Sequence, residues 1–183
     1  MSFPVLTATL LALSAAVLHA GWNLWVKQSG DRWLALWGQM TAAGIAGLVI
    51  TLVVGLPHGF VWWPAVASGL IHTAYIFSLA RSYDLADFSV TYPIARGSGA
   101  LLAAVGGVLF LGDHLSPLMV TGIAIAVGGI VLLAGHADNA HARAALLVGM
   151  FIATYSLVDS HGSRANTGSL YPLLIFTTTG LFT

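Results

Sequence analysis

Apolar residues run through this chain in blocks of membrane-crossing length, at about positions 3–26, 33–55, 61–79, 88–111, 118–134 and 144–158, with a further block opening near Leu170. An α-helix needs about 20 predominantly apolar residues to cross a hydrocarbon core of about 30 Å. The pattern predicts six complete or nearly complete spans and a seventh begun. Only short polar segments separate the blocks: KQSGDR, LPHGF, RSYDLAD, GDHLSP and GHADNAHAR. Connections this short make consecutive helices antiparallel neighbours. In GDHLSP, Ser116 is placed to cap a helix that starts on Pro117, where the missing N–H is no loss. The sixth block is the shortest, and the polar run DSHGSRANTGS after it reads as a loop. The last run, LYPLLIFTTTGLFT, stops at Thr183 short of a crossing, so the chain is expected to be truncated.

One block breaks its own pattern. In YDLADFSVTYPIARGSGALLAAVGGVLFL, residues 83–111, a proline and an arginine interrupt the apolar run. Arg96 stands roughly 12 Å inside the entry point at about 1.5 Å rise per residue. A guanidinium there costs about 2.5 to 3.5 kcal/mol on insertion scales. Pro93 removes a backbone donor and leaves the Ser89 carbonyl without its helical partner, which a membrane tolerates only where protein or a water-filled cavity satisfies it. Ser89, Tyr92, Pro93 and Arg96 therefore mark a helix that faces a polar interior.

Two other blocks carry polar residues at helical spacing. His19, Asn23 and Lys27 stack on one face of the first helix, and Ser68, His72 and Tyr75 on one face of the third. Three such faces meeting would enclose cationic, imidazole and hydroxyl groups, with Asp159 of the sixth block as the available carboxylate. The candidate substrate-binding residues are His19, Asn23, His72, Tyr75, Tyr92 and Arg96, with Arg96 as the group for an anion such as a carboxylate. His19 and His72 are equally explained by hydrogen bonds to neighbouring helices. Tyr75 and Tyr92 are open to a packing role with a satisfied hydroxyl, and Lys27, at a helix end, to snorkelling. Trp22, Trp25, Trp33, Trp37, Trp62 and Trp63 cluster at helix ends as an interfacial belt. Asp84, Asp87 and Asp113 sit in loops near helix starts, where the dipole favours anions.

Composition agrees with the pattern. Of 183 residues, 58% are hydrophobic and 7% charged, against roughly 25% charged in an ordinary soluble domain. The mean hydropathy is +0.91, and the chain is an all-α integral membrane protein, a multi-span helical bundle. Six basic and six acidic side chains balance, so neither a nucleic-acid footprint nor a polybasic lipid anchor is expected. Cysteine is absent, which removes disulfides, thiolate metal sites and cysteine nucleophiles. No HExxH, GxSxG, P-loop or glycine fingerprint is present, so no enzymatic activity, catalytic residue, metal or cofactor is expected. A b-type haem held by His19 and His72 is the one conceivable exception. The N-terminal apolar run has no Lys or Arg ahead of it and reads as a retained helix rather than a signal peptide. Lys27, Arg32, Arg81 and Arg143 flank one side and Arg164 the other, which places the N-terminus outside.

The chain also repeats itself faintly. Residues 10–30 lie over residues 146–166, setting Asn23 opposite Asp159 and, after a one-residue slip, Lys27 opposite Arg164. Five spans before the GHADNAHAR segment and a sixth that restarts the pattern imply two units of opposite orientation. Small residues, among them Ala12, Ala16, Ala20, Gly44, Gly47, Gly99, Gly106 and Gly107, recur where helix backbones need to approach.

LHAGWNLWVKQSGD and DFSVTYPIARGSGALLAAVGGVLFLGDHLSPLMVTGIAIAVGGIVLLA resemble an EamA repeat of the drug/metabolite transporter superfamily. Such repeats carry a proline-containing span, a G-E-x-L-[ST] turn and a glycine-rich helix; here Asp113 stands where the family usually has glutamate. The resemblance implies one five-helix repeat over residues 1–135, a linker over 136–143 and an incomplete, inverted second repeat over 144–183. It further implies a secondary active transporter, an exporter or permease, moving small metabolites across the inner or plasma membrane by alternating access. The implied partners are the lipid bilayer and a small molecule with an anionic group, and a homo-oligomer if the chain is this short. The alternative is a non-transporting scaffold or half-carrier subunit that assembles with another chain. The small multidrug-resistance relatives couple to protons through a first-helix glutamate; this first helix has no acid, so coupling by that route is not expected.

Overall fold

The computed structural model describes residues 3–56, 59–85, 88–135, 138–166 and 170–183. Seven α-helices make up the described chain: α1 Phe3–Gln28, α2 Arg32–Val54, α3 Trp63–Leu85, α4 Phe88–Leu111, α5 Pro117–Ala134, α6 Asn139–Ala165 and α7 Tyr171–Phe182. The starts follow from local chemistry. Asp31, in extended conformation, accepts a hydrogen bond from the Leu34 N–H at 2.9 Å and opens α2. The Ser116 hydroxyl accepts from the Met119 N–H at 3.3 Å and Pro117 begins α5, as the sequence predicts. Asp138 accepts from the Ala140 N–H at 3.4 Å and opens α6.

Three segments expected to be loops are helical. The linker expected over 136–143 is already α6 from Asn139, because Asp138 caps the helix five residues earlier than the apolar pattern begins. At its other end α6 runs to Ala165, through most of the predicted DSHGSRANTGS loop, and at 27 residues it is the longest described helix rather than the shortest span. Its polar tail has partners: the Asn166 N–H bonds back to the Gly162 carbonyl at 3.0 Å, and Arg164 pairs with Asp113. Likewise α3 takes in residues 81–85 of RSYDLAD, since Ser82 and Tyr83 are buried and Asp84 pairs with Arg32. Asp87 lies outside the described residues.

Among the described residues, four helical stretches rather than six are long and apolar enough to cross a bilayer: Thr9–Gln28, Arg32–Val54, Ser89–Leu111 and Asn139–Ala165. α3 has the length, 23 residues, but Ser68, His72, Thr73, Ser82 and Asp84 dilute its hydropathy. Those polar residues are tolerated because α3 is the inner helix, flanked by α6 and α7. α6 also packs along α4, α7 along α2, and α5 on the outside of α4. The core gathers Val26, Leu36, Ile76, Leu79, Tyr83, Ile94, Val148 and Ile152. Leu11, Val17 and Leu18 of α1, Leu52 and Val53 of α2, and Leu118 and Ile125 of α5 stay exposed, forming an apolar perimeter suited to lipid. Two ion pairs mark opposite ends of the bundle: Arg32–Asp84 joins α2 to α3, and Arg164–Asp113 at 2.7 Å joins α6 to the turn after α4.

α2 and α7 cross with their backbones in contact. A Cβ on Gly44 would lie 2.8 Å from the Gly180 Cα and 3.2 Å from the Phe176 carbonyl oxygen. A Cβ on Gly180 would lie 2.7 Å from the Gly44 Cα and 2.7 Å from the Met40 carbonyl oxygen. The offset that lays residue 10 over residue 146 also lays Met40 over Phe176 and Gly44 over Gly180. Each glycine thus touches its counterpart and the residue one turn before it, the reciprocity of a two-fold contact. Gly44→Leu is expected to cost about 1–3 kcal/mol through overpacking, read as a lower thermal midpoint in detergent. Gly38→Leu, on the same helix but with nothing within 4 Å of its Cβ position, is expected to leave the midpoint unchanged.

Candidate functional site

The polar interior forms where α1, α3, α4 and α6 converge. α4 brings Arg96 in one turn after Pro93. The guanidinium is half-buried, with the Tyr75 and Tyr155 hydroxyls nearby and His19 close enough for its charge to act there. Among the described residues Arg96 forms no ion pair; the two ion pairs they contain lie at the bundle ends.

His19 adds a second donor. The Trp22 indole N–H donates to His19 Nδ1 at 3.1 Å, and an indole nitrogen can only donate. Nδ1 is therefore the acceptor, and the neutral ring carries its proton on Nε2. His19 Nε2 is buried with no hydrogen-bond partner among the described residues, so this site holds an N–H without an acceptor.

Aromatic rings wall the site. His72 stacks on Tyr155 with centroids 4.0 Å apart, and Tyr75 meets Tyr155 edge-on at 5.6 Å. His72 Nδ1 lies 3.0 Å from the Ser68 carbonyl and 3.1 Å from the Ser68 hydroxyl. A carbonyl only accepts, so Nδ1 bears the hydrogen. One turn beyond Tyr155 on α6, Asp159 accepts from the Tyr171 hydroxyl at 3.5 Å, with the Ser68 hydroxyl nearby.

The structure brings His72 and Tyr75 together around Tyr155, with Arg96 beside the two tyrosines and His19 within range of its charge. Tyr92 is half-buried on α4 beside the core, near Tyr75 and Tyr83. Asn23 is fully buried and internally satisfied: its amide donates to the His19 carbonyl at 2.7 Å, and its oxygen accepts from the Tyr83 hydroxyl at 2.9 Å. It fixes the backbone that carries His19 and ties α1 to α3. Lys27, on the same face, donates to the Tyr83 carbonyl at 2.6 Å. The sequence reading missed Tyr155 and Tyr83. Tyr155 had a signal, since the internal repeat lays it over His19 and it stands four residues before Asp159. Tyr83 sits in a segment read as a loop. Among the described residues no three His or Asp side chains gather as a metal site.

These features define a multi-span helical membrane protein with a cationic, aromatic-walled site inside its bundle. No family model matches the chain, and no solved structure does. A curated relative, the "Nicotine metabolites export pump subunit NepA" of Paenarthrobacter nicotinovorans, is 30% identical over 105 residues, which make up 57% of this chain and 90% of that protein. The chain belongs to the family of that export pump subunit.

Removing the Tyr83 hydroxyl leaves the Asn23 oxygen buried without a donor, a defect worth about 1–3 kcal/mol. Tyr83→Phe is therefore expected to lower the thermal midpoint in detergent, with the Asn23→Leu/Tyr83→Phe double variant recovering part of the loss.

Proposed function

We propose that the chain is an EamA-type secondary transporter component that exports small metabolites bearing an anionic group across the inner or plasma membrane by alternating access. The observation that carries this reading is the convergence of Arg96 and the partnerless His19 N–H, two donors to an anion with no acid paired to either among the described residues. His72, Tyr75 and Tyr92 would shape the remaining wall, and Asn23 would hold His19 in place. The export activity in the relative's name supports the direction. The Gly44–Gly180 reciprocity supports the inverted repeat. Carriers built on such repeats bind substrate between the repeats near the bilayer midplane.

A second reading has its own support. α1 leaves a broad apolar face exposed, and the relative is by name a subunit. Under it the chain assembles with another chain, a second copy included, and forms the full carrier or a scaffold only there.

Charge-assisted hydrogen bonds are worth about 1.5–3 kcal/mol, roughly 10- to 100-fold in binding. Mass spectrometry of the medium from cells expressing the protein is expected to show small carboxylates above the level from cells expressing Arg96→Gln at equal membrane abundance. Identical media would remove Arg96 from the function. A stoichiometric second chain on purification would favour the subunit reading.

A further inference from the structure

The two sides of α4 are packed differently. Gly99 and Gly106 lie against Ile152 and Leu157 of α6, while Gly97, Ala100 and Ala104, three and four residues apart, turn toward α5. At Gly97 the two helices touch, since a Cβ there would lie 2.6 Å from the Ile130 Cδ1. Nearer the start of α5 they part: nothing stands within 4 Å of a Cβ built on Gly122. The result is a groove of about 380 Å³, with Met119, Gly122 and Ile123 on its far wall and only apolar residues lining it.

Its depth decides what fills it. Gly97 and Ala104 stand about 12 and 22 Å along the span that begins at Ser89, at about 1.5 Å rise per residue, within a hydrocarbon core of about 30 Å. A void without polar partners does not hold water, and Met119 and Gly122 leave its rim exposed to the bilayer. One end of the groove reaches Leu115, in the turn that joins α4 to α5. Two residues before it, Asp113 accepts from Arg164, which also donates to the Leu111 carbonyl at 3.1 Å. Half of the Arg164 side chain is exposed at this end of the bundle. A guanidinium has five N–H groups, so donors remain there for the oxygens of a phosphate.

We propose that this groove is a phospholipid site, in which one acyl chain lies between α4 and α5 and the phosphate rests on Arg164. The chain adds packing to α5, whose main neighbour is α4. Charge favours this occupant over a second copy of the protein: a helix laid in the groove would cover its apolar walls and leave the remaining Arg164 donors unmet. Nothing in this site depends on transport.

Native mass spectrometry of the protein taken from its membrane into mild detergent should show one retained phospholipid. Gly122→Leu, which fills the groove, should lose it, whereas Gly129→Leu, equally open but off the groove, should keep it. Added phosphatidylglycerol should raise the thermal midpoint of delipidated wild type and Gly129→Leu, and leave that of Gly122→Leu unchanged. Arg164→Gln should weaken retention roughly 10-fold. Asp113→Asn breaks the same ion pair but keeps the guanidinium, and it should retain the lipid; equal loss in both variants would make Arg164 a structural residue and overturn its place in the site. No retained lipid, or retention that Gly122→Leu leaves unchanged, overturns the proposal. So does a lipid-free wild-type dimer that Gly122→Leu turns into a monomer.

Discussion

Backbone contact between α2 and α7 sets how closely those two helices pack. In lipid no hydrophobic gain drives one apolar helix onto another, so association depends on close packing. Gly44 and Gly180 provide it, each without a Cβ where the other backbone passes. With α7 held on α2, the short connection from α6 brings that helix against α3 and α4. There Gly99 and Gly149 meet in the same manner, a Cβ on Gly149 standing 3.1 Å from the Gly99 nitrogen. The bundle combines such backbone contacts with large buried side chains, among them Tyr83, Leu36, Ile94 and Val148.

That arrangement permits a charged residue inside. Arg96 approaches α6 beside the tight α4–α6 seam, where Tyr155 reaches it with a hydroxyl rather than a carboxylate. A carboxylate there would neutralise the cation. The acids that do pair with arginine, Asp84 and Asp113, stay at the two ends of the bundle, where water screens them and such pairs contribute about 0–1 kcal/mol. With the ion pairs confined to the ends, Arg96 has no acid partner among the described residues.

Much of this was legible in the sequence, for identifiable reasons. Apolar blocks and their short connections gave the helices in order, because lipid allows few alternatives for a buried backbone. Arg96, His72 and Tyr75 stood out because a polar group at helical spacing in an apolar run has few reasons to be there. Where hydropathy was the only guide the reading failed. α6 extends through Ser160, His161, Gly162 and Ser163, polar residues that remain helical because Arg164 and Asn166 find partners beyond them. α3 likewise continues through Tyr83 and Asp84. Asn23 shows a different limit: its spacing matched a site-lining residue, and only three dimensions reveal that Tyr83 and the His19 carbonyl occupy its hydrogen-bonding groups.

The site depends on α7 packing across α2 and α6 packing against α3 and α4. The chain has no cysteine, which makes paired cysteines a clean probe. A Cβ on Gly47 would stand 2.6 Å from the Thr177 hydroxyl oxygen and 2.7 Å from the Leu173 carbonyl oxygen, so cysteines at positions 47 and 177 face each other across the crossing and reach the roughly 3.5–4.5 Å Cβ separation of a disulfide with a small outward shift of α7. Oxidation of Gly47→Cys/Thr177→Cys in native membranes should give an intramolecular cross-link, while Gly128→Cys/Thr177→Cys should give none. Failure of the first pair to cross-link in a folded protein, or equal cross-linking of both, would contradict the crossing on which the site is built.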